Sequence, residues 1–194
     1  MDAGKQAIVE AAIVVFGKYG FKQTTMNMIA EQAGLSRQSV YNHFSDKETI
    51  LRAMSEYVHE TAFERGDGVV QQALAESWDP VTAMCRLLEV RLEVFMSSLG
   101  NSPHFEELVS EHSKYCALQN SEQVERFRKS MAKFLSELMK KNDLSFVRGV
   151  NAEELALVLS ESIHGLKTAG HPPKEFSKRS LLLTRLLVGG AIDR

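Results

Sequence analysis

Apolar residues recur along the chain at the three- and four-residue spacing of amphipathic helices. In the first predicted helix, residues 4–18, the side chains of Ile8, Val15 and Phe16 fall on one helical face. Gly20 follows as the residue expected to end this helix. No stretch has the alternation of a half-buried strand, so the pattern predicts an all-α protein of about nine helices.

Two short helices joined by a tight turn are predicted next. Thr25 is the expected N-cap of the first, residues 26–33, because its hydroxyl can accept an orphan backbone N–H. Gly34 supplies the turn, since a positive φ costs glycine little, and Ser36 caps the second helix, residues 37–43. This order is typical of a helix-turn-helix, in which one helix braces and the other offers hydrogen-bonding side chains to base edges and phosphates. An ordinary helical corner with a polar face is the alternative.

A longer helix is expected after these two. Ser45 and Glu48 have the S-x-x-E spacing of a capping box, which predicts a helix from Asp46 to about Glu64. The glycines of ERGDGVV mark its end or a weak point, with a short helix over 69–77 to follow. Further helices are predicted at 80–99, 103–114, 121–141, 151–168 and 175–192.

The composition is that of a globular chain, with 44% hydrophobic and 25% charged residues among 194. No apolar run approaches the length of a membrane span, and the MDAGKQ start lacks the pattern of a signal peptide. We therefore expect a cytoplasmic protein without a membrane partner. Cys85 and Cys116 fit no zinc spacing and are interpreted as reduced, buried small hydrophobes, with a thiol-sensing role as the alternative.

The charge balance does not indicate nucleic-acid binding. The formal net charge is −2, and the first 51 residues hold as many basic as acidic side chains. The basic residues there are Lys5, Lys18, Lys22, Arg37 and Lys47, and the acidic ones are Asp2, Glu10, Glu31, Asp46 and Glu48. DNA affinity would have to come from local donors and helix N-termini rather than from a basic field.

The order of residues from about Lys5 to Leu51 resembles the DNA-binding domain of the TetR (tetracycline repressor) family. The residues that match without a gap are Phe16, Gly20, Thr25, Ile29, Ala30, Gly34, Ser36, Tyr41, Phe44 and Lys47. Met28 is a departure, because many members carry an acidic residue there. The resemblance implies a helix-turn-helix DNA-binding domain at 1–47 and a helical ligand-binding and dimerisation domain at 48–194.

The DNA contacts follow partly from residue type and partly from the resemblance. Arg37, Gln38 and Asn42 lie on the outward face of the second short helix, where Arg suits guanine and Gln or Asn suits adenine. The resemblance implies phosphate contacts from Thr25, Ser36, Ser39, Tyr41, His43 and Lys47. Asn27 could add a contact from the bracing helix. The expected partner is a double-stranded operator.

The last two helices carry more apolar surface than one subunit needs. A recognition helix of about seven residues reads too few base pairs to be specific, so we expect a homodimer on a palindromic operator. The interface is predicted from Leu155, Leu159, Ile163, Leu182, Leu183, Leu186, Leu187 and Gly190.

The resemblance also implies a small-molecule effector that releases a repressor from DNA. Wide apolar stripes with a few polar interruptions are what a ligand cavity needs, although the same residues could fill a solid core. The candidate wall is Trp78, Met84, Leu88, Arg91, Phe95, Phe105, His112, Tyr115, Cys116 and His164. A lipophilic or cationic drug-like molecule, a fatty-acyl compound and a signalling metabolite all stay open.

Two other classes of function fit parts of the sequence. A helical-bundle metal-dependent enzyme would need paired Glu and Glu-x-x-His motifs, and Glu161 with His164 is a candidate with that spacing. No nucleophile elbow, phosphate loop or dinucleotide fingerprint is present, so no enzyme, metal or cofactor is expected. A helical adaptor whose helix-turn-helix binds protein is the other class. The histidines that could converge on a metal or a ligand are His59, His104, His112 and His164.

Overall fold

The computed structural model describes residues 1–100, 102–168 and 171–193, and these residues are almost entirely helical. The helices are α1 (Ala3–Gln23), α2 (Met26–Ala33), α3 (Arg37–His43), α4 (Lys47–Ala75), α5 (Pro80–Phe95), α6 (Phe105–Tyr115), α7 (Ala117–Lys141), α8 (Ala152–Thr168) and α9 (Pro173–Gly190). A π-helical turn, Met96–Gly100, follows α5. The all-α prediction is confirmed.

The one sheet among the described residues is a pair of two-residue strands. β1 (Ser145–Phe146) pairs antiparallel with β2 (Ile192–Asp193). Strands this short leave no periodic signal, which is why the sequence pattern did not reveal them.

The structure differs from the two helix ends that were predicted at glycine residues. Gly20 has φ 77° and ψ 163°, so it breaks the helical path inside α1, and one further turn continues to Gln23. By contrast, α4 runs through Gly66 and Gly68 to Ala75, so the predicted break and separate short helix are wrong. A Cβ on Gly66 would lie 3.0 Å from Leu87 Cδ1, so this glycine permits close packing instead of ending the helix.

The start of α4 is capped one residue later than the sequence indicated. Thr49 N–H donates to Asp46 Oδ1 at 2.7 Å, and Asp46 N–H donates to Thr49 Oγ1 at 3.3 Å. This reciprocal pair is a capping box built from Asp46 and Thr49, so the assignment to Ser45 and Glu48 is wrong. Asp46 is the stronger cap because its carboxylate is charged beside the positive end of the helix.

The chain forms two compact units. Unit 1 comprises Met1–Thr61 and Val94–Ser121, and unit 2 comprises Ala62–Glu93 and the chain from Glu122 onward. The core of unit 1 contains Phe16, Ile29 and Val40, which are fully buried, and Phe44, which is 8% exposed. Leu108 of α6 and Cys116, the residue after α6, also belong to this core, which the sequence did not indicate.

Unit 2 has its own apolar core. Its buried side chains come from α4, α5, α7, α8 and α9, among them Met84, Leu87, Phe134, Leu135, Leu138, Leu159 and Val188. Two hydroxyl residues of α9, Ser180 and Thr184, are also buried, and Thr184 Oγ1 donates to the Ser180 carbonyl oxygen at 2.9 Å. That bond satisfies the Thr184 hydroxyl inside an otherwise apolar environment.

The Asp46 cap predicts an acid-sensitive contribution to stability. The Thr49 N–H bond lowers the pKa of Asp46, so the stabilisation by the ionised carboxylate is complete above its ordinary pKa of about 4. It is lost as the pH falls through the lower folded value. Asp46→Ala should lower the free energy of unfolding by about 1 kcal/mol near neutral pH, and the difference should shrink below about pH 3.

Urea unfolding followed by circular dichroism across that range measures this difference. Asp67→Ala is the control, because Asp67 is exposed in the middle of α4, and it should not destabilise the chain. An Asp46→Ala deficit that is the same at every pH would contradict the role of the ionised carboxylate.

Candidate nucleic-acid interface

Helix α3 is fixed by its cap and by one buried side chain. Ser36 Oγ accepts a hydrogen bond from Ser39 N–H at 3.1 Å and lies 2.8 Å from Ser39 Oγ. The cap satisfies one of the orphan donors at the helix start, as predicted. Val40 is fully buried, so α3 turns this side to the core and the opposite side to solvent.

The outward face of α3 carries four exposed polar or aromatic side chains: Arg37, Gln38, Tyr41 and Asn42. Gln38 Nε2 donates to Asn42 Oδ1 at 3.0 Å, which aligns the two amides one helical turn apart. The Arg37 guanidinium lies 5.3 Å from the centre of the Tyr41 ring. Both pairs limit the freedom of these side chains before any partner binds. The amide groups of Gln38 and Asn42 can each pair with the hydrogen-bonding edge of adenine.

Helix α2 and the turn after it hold α3 in place. Thr25 Oγ1 accepts from Met28 N–H at 3.3 Å, as the predicted N-cap. Gly34 has φ 66°, and the Leu35 and Gly34 N–H groups donate to the carbonyl oxygens of residues 30 and 31. This is the Schellman arrangement, which requires a residue in the left-handed region. Asn27 Nδ2 donates to a glutamate carboxylate at 2.7 Å, so this side chain is already engaged on α2.

Lys47, the first residue of α4, closes the end of α1. Its Nζ donates to the carbonyl oxygens of Phe21 at 2.8 Å, Lys22 at 3.2 Å and Thr24 at 3.2 Å. An ammonium group has three donors, and these bonds use them on backbone groups that α1 leaves unsatisfied. A phosphate contact from Lys47 would therefore replace one of these bonds. No local sequence signal connects a lysine to carbonyls more than twenty residues earlier in the chain.

His43 lies beside the first turn of α1. A Cβ on Gly4 would lie 3.0 Å from His43 Nε2, so a residue without a side chain leaves room for the imidazole ring. Asp2 Oδ1 caps α1 by accepting from Lys5 N–H at 2.9 Å. That bond, and then the charge of His43, lower the pKa of Asp2. The exposed imidazole at the end of α3 is thus positioned by the chain terminus.

Helix α6 binds the end of α1 from another side. Glu107 Oε1 accepts from Lys22 N–H at 2.7 Å, and Ser102 Oγ donates to the Gly17 carbonyl oxygen at 2.7 Å. A Cβ on Gly20 would lie 2.6 Å from Glu107 Oε2, so the positive-φ glycine also makes room for this carboxylate. Sequence reasoning missed Glu107 as a positioning residue, because its partner is distant in the chain.

Half of the residues expected to line a ligand pocket lie in unit 1: Phe95, Phe105, His112, Tyr115 and Cys116. His112 Nε2 lies 2.8 Å from Ser55 Oγ on α4. The Tyr115 ring centre is 5.7 Å from that of Phe21, and Cys116 is 1% exposed in the same core. These side chains pack α6 against the N-terminal helices.

A narrow cavity lies in unit 2, without space for a water molecule. The side chains around it are Met84, Leu87, Leu88, Phe127, Met131, Leu159, Ile163 and Thr184. Met84 and Leu88 were predicted for the wall. Methionine side chains are flexible, so Met84 and Met131 could move to enlarge the space.

The other predicted wall residues of unit 2 have separate positions. Trp78 Nε1 donates to Glu76 Oε2 at 2.7 Å, and its carbonyl oxygen accepts from Asn142 Nδ2 at 3.1 Å. Arg91 is 8% exposed and lies over the Phe127 ring, beside the cavity. His164 is exposed.

The residues predicted for a dimer interface divide by burial. Leu155 and Leu159 are 5% and 1% exposed, so they belong to the core of unit 2. Ile163, Leu183 and Leu187 are half-buried, and Gly190 is exposed. Leu182 and Leu186 are 54% and 64% exposed on α9, and Leu157 and Val158 are each 41% exposed on α8. An apolar surface therefore exists on both helices, with α8 contributing neighbours of the predicted residues.

Within the described ranges, no group of three or more His, Cys, Asp or Glu side chains could hold a metal ion. Burial raises the pKa of both thiols, Cys85 and Cys116, which disfavours the reactive thiolate. No helix in this part of the chain combines the length and apolar character needed to cross a bilayer.

A capped α3 with a polar outer face, braced by α2 and α1, is the helix-turn-helix arrangement with which many proteins bind DNA. Residues 8–54 match the model of the family described as "Bacterial regulatory proteins, tetR family". Residues 8–54 are therefore similar to the DNA-binding domain of the tetR family, and solved structures of TetR-family transcriptional regulators share the fold of the chain.

Three comparisons give the extent of the similarity. HTH-type transcriptional regulator TtgR of Pseudomonas putida is 37% identical over 89 residues, which are 45% of this chain and 39% of TtgR. A transcriptional regulator from Cytophaga hutchinsonii ATCC 33406 has a TM-score of 0.79 at 18% identity, over 98% of this chain and 99% of that one. SmeT, repressor of the Stenotrophomonas maltophilia multidrug efflux pump SmeDEF, has a TM-score of 0.64 at 21% identity, over 97% and 90%.

The sequence match and the structural matches cover different shares of the chains. The sequence match spans less than half of TtgR, and the two structural matches show a shared fold. All three relatives are named as transcription regulators or repressors, in agreement with the expectation that the chain is not an enzyme.

The Lys47 bonds predict a measurable loss of stability. Lys47→Met keeps most of the aliphatic stem but removes the donor to three carbonyl oxygens. It should lower the free energy of unfolding by about 1–3 kcal/mol. Lys18→Met is the matched control, because Lys18 is exposed and its ammonium lies 5.0 Å from the Tyr19 ring centre, and it should change stability by less than about 0.5 kcal/mol. Urea unfolding of both variants measures this, and equal midpoints would contradict the structural role of Lys47.

Proposed function

We propose that this chain is a cytoplasmic transcriptional repressor that binds a palindromic operator as a homodimer and is released by a small molecule. Residues 1–47 would be its DNA-binding domain, and 48–194 its ligand-binding and dimerisation domain. The observation that carries the proposal is the capped helix α3, with Val40 buried and Arg37, Gln38 and Asn42 exposed.

The base contacts are assigned to the outward face of α3. Arg37 offers the paired donors that suit guanine, and the aligned amides of Gln38 and Asn42 suit adenine. Phosphates would bind hydroxyl and imidazole groups on and beside α2 and α3: Thr25, Ser36, Ser39, Tyr41 and His43. Lys47 would contribute to DNA binding chiefly by fixing α4 against α1, because its donors are occupied. Asn27 keeps a peripheral role.

The charge balance favours local contacts to DNA over attraction by a broadly basic surface. The net charge is −2, so the affinity for DNA depends on helix N-termini and on the number of helix-turn-helix domains that bind together. A two-fold dimer doubles those contacts and places two α3 helices about 34–36 Å apart, one turn of the duplex.

The exposed apolar residues of α8 and α9 support the dimer. Leu182 and Leu186 lie one helical turn apart on α9, and both are more than half exposed. Leu157 and Val158 add apolar area on α8. Burying such side chains against a second copy removes them from water at a gain of about 25 cal/mol per Å² of apolar area.

The cavity in unit 2 supports release by a small molecule. Its lining is apolar, and a ligand that entered would have to select or create a wider state, because the space is too narrow for a water molecule. A solved complex of SmeT with triclosan matches this chain with a TM-score of 0.62 at 21% identity, over 99% of this chain and 93% of that one. By analogy, a ligand that favours a different position of α4 by about 1–3 kcal/mol would weaken DNA binding by 5–150-fold.

A gel-shift assay with fragments of the source genome tests the proposal as a whole. A regulator should retard a small subset of fragments, and the subset should share a near-palindromic sequence. A protein that retards none of them, or all of them equally, is not an operator-specific repressor.

Gln38 should read a single base position in each half-site. Gln38→Ala should weaken operator binding by about 1–3 kcal/mol and relax specificity at that position, because an amide pair to the base is lost. Gln32→Ala is the matched control, since Gln32 is exposed on the bracing helix and has no predicted contact. Fluorescence anisotropy on the operator and its single-base variants measures both effects. Unchanged base preference in Gln38→Ala would refute the base-reading role.

The dimer surface predicts a change in assembly. The wild-type chain should sediment at about twice its mass of 21.7 kDa at micromolar concentration. Leu182→Glu with Leu186→Glu should sediment as a monomer, because charges cannot be buried unpaired in an apolar interface. Leu118→Glu is the control, since Leu118 is 76% exposed on α7, and it should stay dimeric. A monomeric wild type, or a double variant that still dimerises, would contradict this interface.

A further inference from the structure

The first turn of α1 and the last residue of α3 meet at the side chain of His43. A Cβ on Gly4 would lie 3.0 Å from Nε2 and 3.2 Å from Cε1 of the His43 ring, and 3.4 Å from Asp2 Oδ1. The two ring distances are shorter than ordinary van der Waals contacts, so a side chain at position 4 would push the imidazole aside. Gly4 therefore leaves space for the His43 ring against α1, with the Asp2 carboxylate beside it.

The Asp2 carboxylate is itself held in place at the start of α1. Its Oδ1 accepts a hydrogen bond from Lys5 N–H at 2.9 Å. This backbone bond, and to a smaller extent the charge of His43, lower the pKa of Asp2, so the carboxylate is ionised near neutral pH. A fixed negative charge beside the imidazole favours the ring orientation in which a ring nitrogen faces α1.

This arrangement decides which ring nitrogen can reach DNA. Nε2 and Cε1 form the edge of the ring that faces Gly4, so Nδ1, on the other side of Cε1, lies farther from α1. His43 is exposed at the end of α3, the helix whose outward face is proposed to contact DNA. A protonated imidazole nitrogen can donate to a phosphate oxygen, and Nδ1 is the nitrogen that α1 does not cover.

We propose that the start of α1 is a positioning element of the DNA-binding surface. Gly4 and Asp2 hold the Nε2 edge of His43, and Nδ1 donates to a backbone phosphate of the operator. The inference rests on the proposed binding of DNA. It goes beyond that proposal by naming the donor atom of His43 and the residues of α1 that hold the ring.

The first test compares side chains at position 4 in the presence and absence of the imidazole. Fluorescence anisotropy at fixed salt, on an operator fragment selected by the gel shift, measures the affinity. Gly4→Leu should weaken binding at least about fivefold, because the ring is displaced in both half-sites. It should not lower the urea midpoint, since leucine forms helices better than glycine. In a His43→Ala background the same substitution should change the affinity by less than about twofold.

Ala3→Leu is the matched control. Ala3 is the exposed neighbour of Gly4 and lies about 100° away around the helix, so the same bulk there does not reach the ring. This variant should bind the operator like the wild type. The inference is overturned if Ala3→Leu weakens binding as much as Gly4→Leu, or if Gly4→Leu has the same effect with and without His43.

Two substitutions of His43 test the donor atom. The side-chain amide nitrogen of asparagine can take the place of Nδ1, and that of glutamine can take the place of Nε2. His43→Asn should therefore bind the operator at least about fivefold more tightly than His43→Gln. Equal affinities, or tighter binding by His43→Gln, would refute the assignment of Nδ1.

NMR of the full chain without DNA tests the position of the ring by itself. A nuclear Overhauser effect should connect the Cα protons of Gly4 with the proton on His43 Cε1. Its absence would overturn the inference, whatever the affinity for DNA. A wild-type chain that shows this contact and yet binds no operator would contradict the proposed function, and the phosphate contact with it.

Discussion

The N-terminal unit depends on how the C-terminal end of α1 is closed. The last carbonyl groups of a helix have no partner within it, and here the Lys47 ammonium donates to three such groups at the end of α1. All of α2 and α3 lies in the chain between these carbonyls and Lys47. The three bonds therefore close the loop that contains the helix-turn-helix and fix the start of α4 against α1. The direction of α3 follows from this closure, from the Ser36 cap and from the buried Val40.

The same short segment is also bound by α6. The Lys22 N–H donates to Glu107, while the Lys22 carbonyl oxygen accepts from Lys47. The backbone of Lys22 thus bonds to α6 through its N–H group and to α4 through its carbonyl oxygen. Gly20 leaves room for the Glu107 carboxylate. A displacement of either helix would have to break or stretch a short hydrogen bond at the point where the chain enters α2. Inside unit 1, this junction connects the helix-turn-helix, α2 and α3, to the helices that follow it.

Sequence reasoning succeeded where the determinants are local. The caps at Thr25 and Ser36 and the turn at Gly34 depend on residues a few positions apart. The burial of Phe16, Ile29 and Val40 follows from the spacing of apolar residues within each helix. Sequence reasoning failed where distant segments decide the outcome. Leu87 packs against Gly66 inside α4, a contact that the spacing of the glycines does not reveal. The Asp46 cap was missed for a local reason, because Ser45 and Asp46 are adjacent and both residue types can cap a helix.

The candidate ligand wall shows the same limit more clearly. Apolar stripes mark which side chains are buried, but they do not tell which helices meet. Tyr115 and Cys116 were selected with Met84 and Leu88 on that basis, yet they pack against α1 and α4 in unit 1.

The central claim is that the outward face of α3 enters the major groove in two places. An iron–EDTA chelate attached at Gln38→Cys, in a Cys85→Ser background, would cut DNA from that face. The account predicts two clusters of cuts about ten base pairs apart, related by the symmetry of the operator. The same chelate at Lys140→Cys, an exposed position on α7, should not cut at those positions. Absence of cutting from position 38 while the protein stays bound, or equal cutting from position 140, would contradict the account.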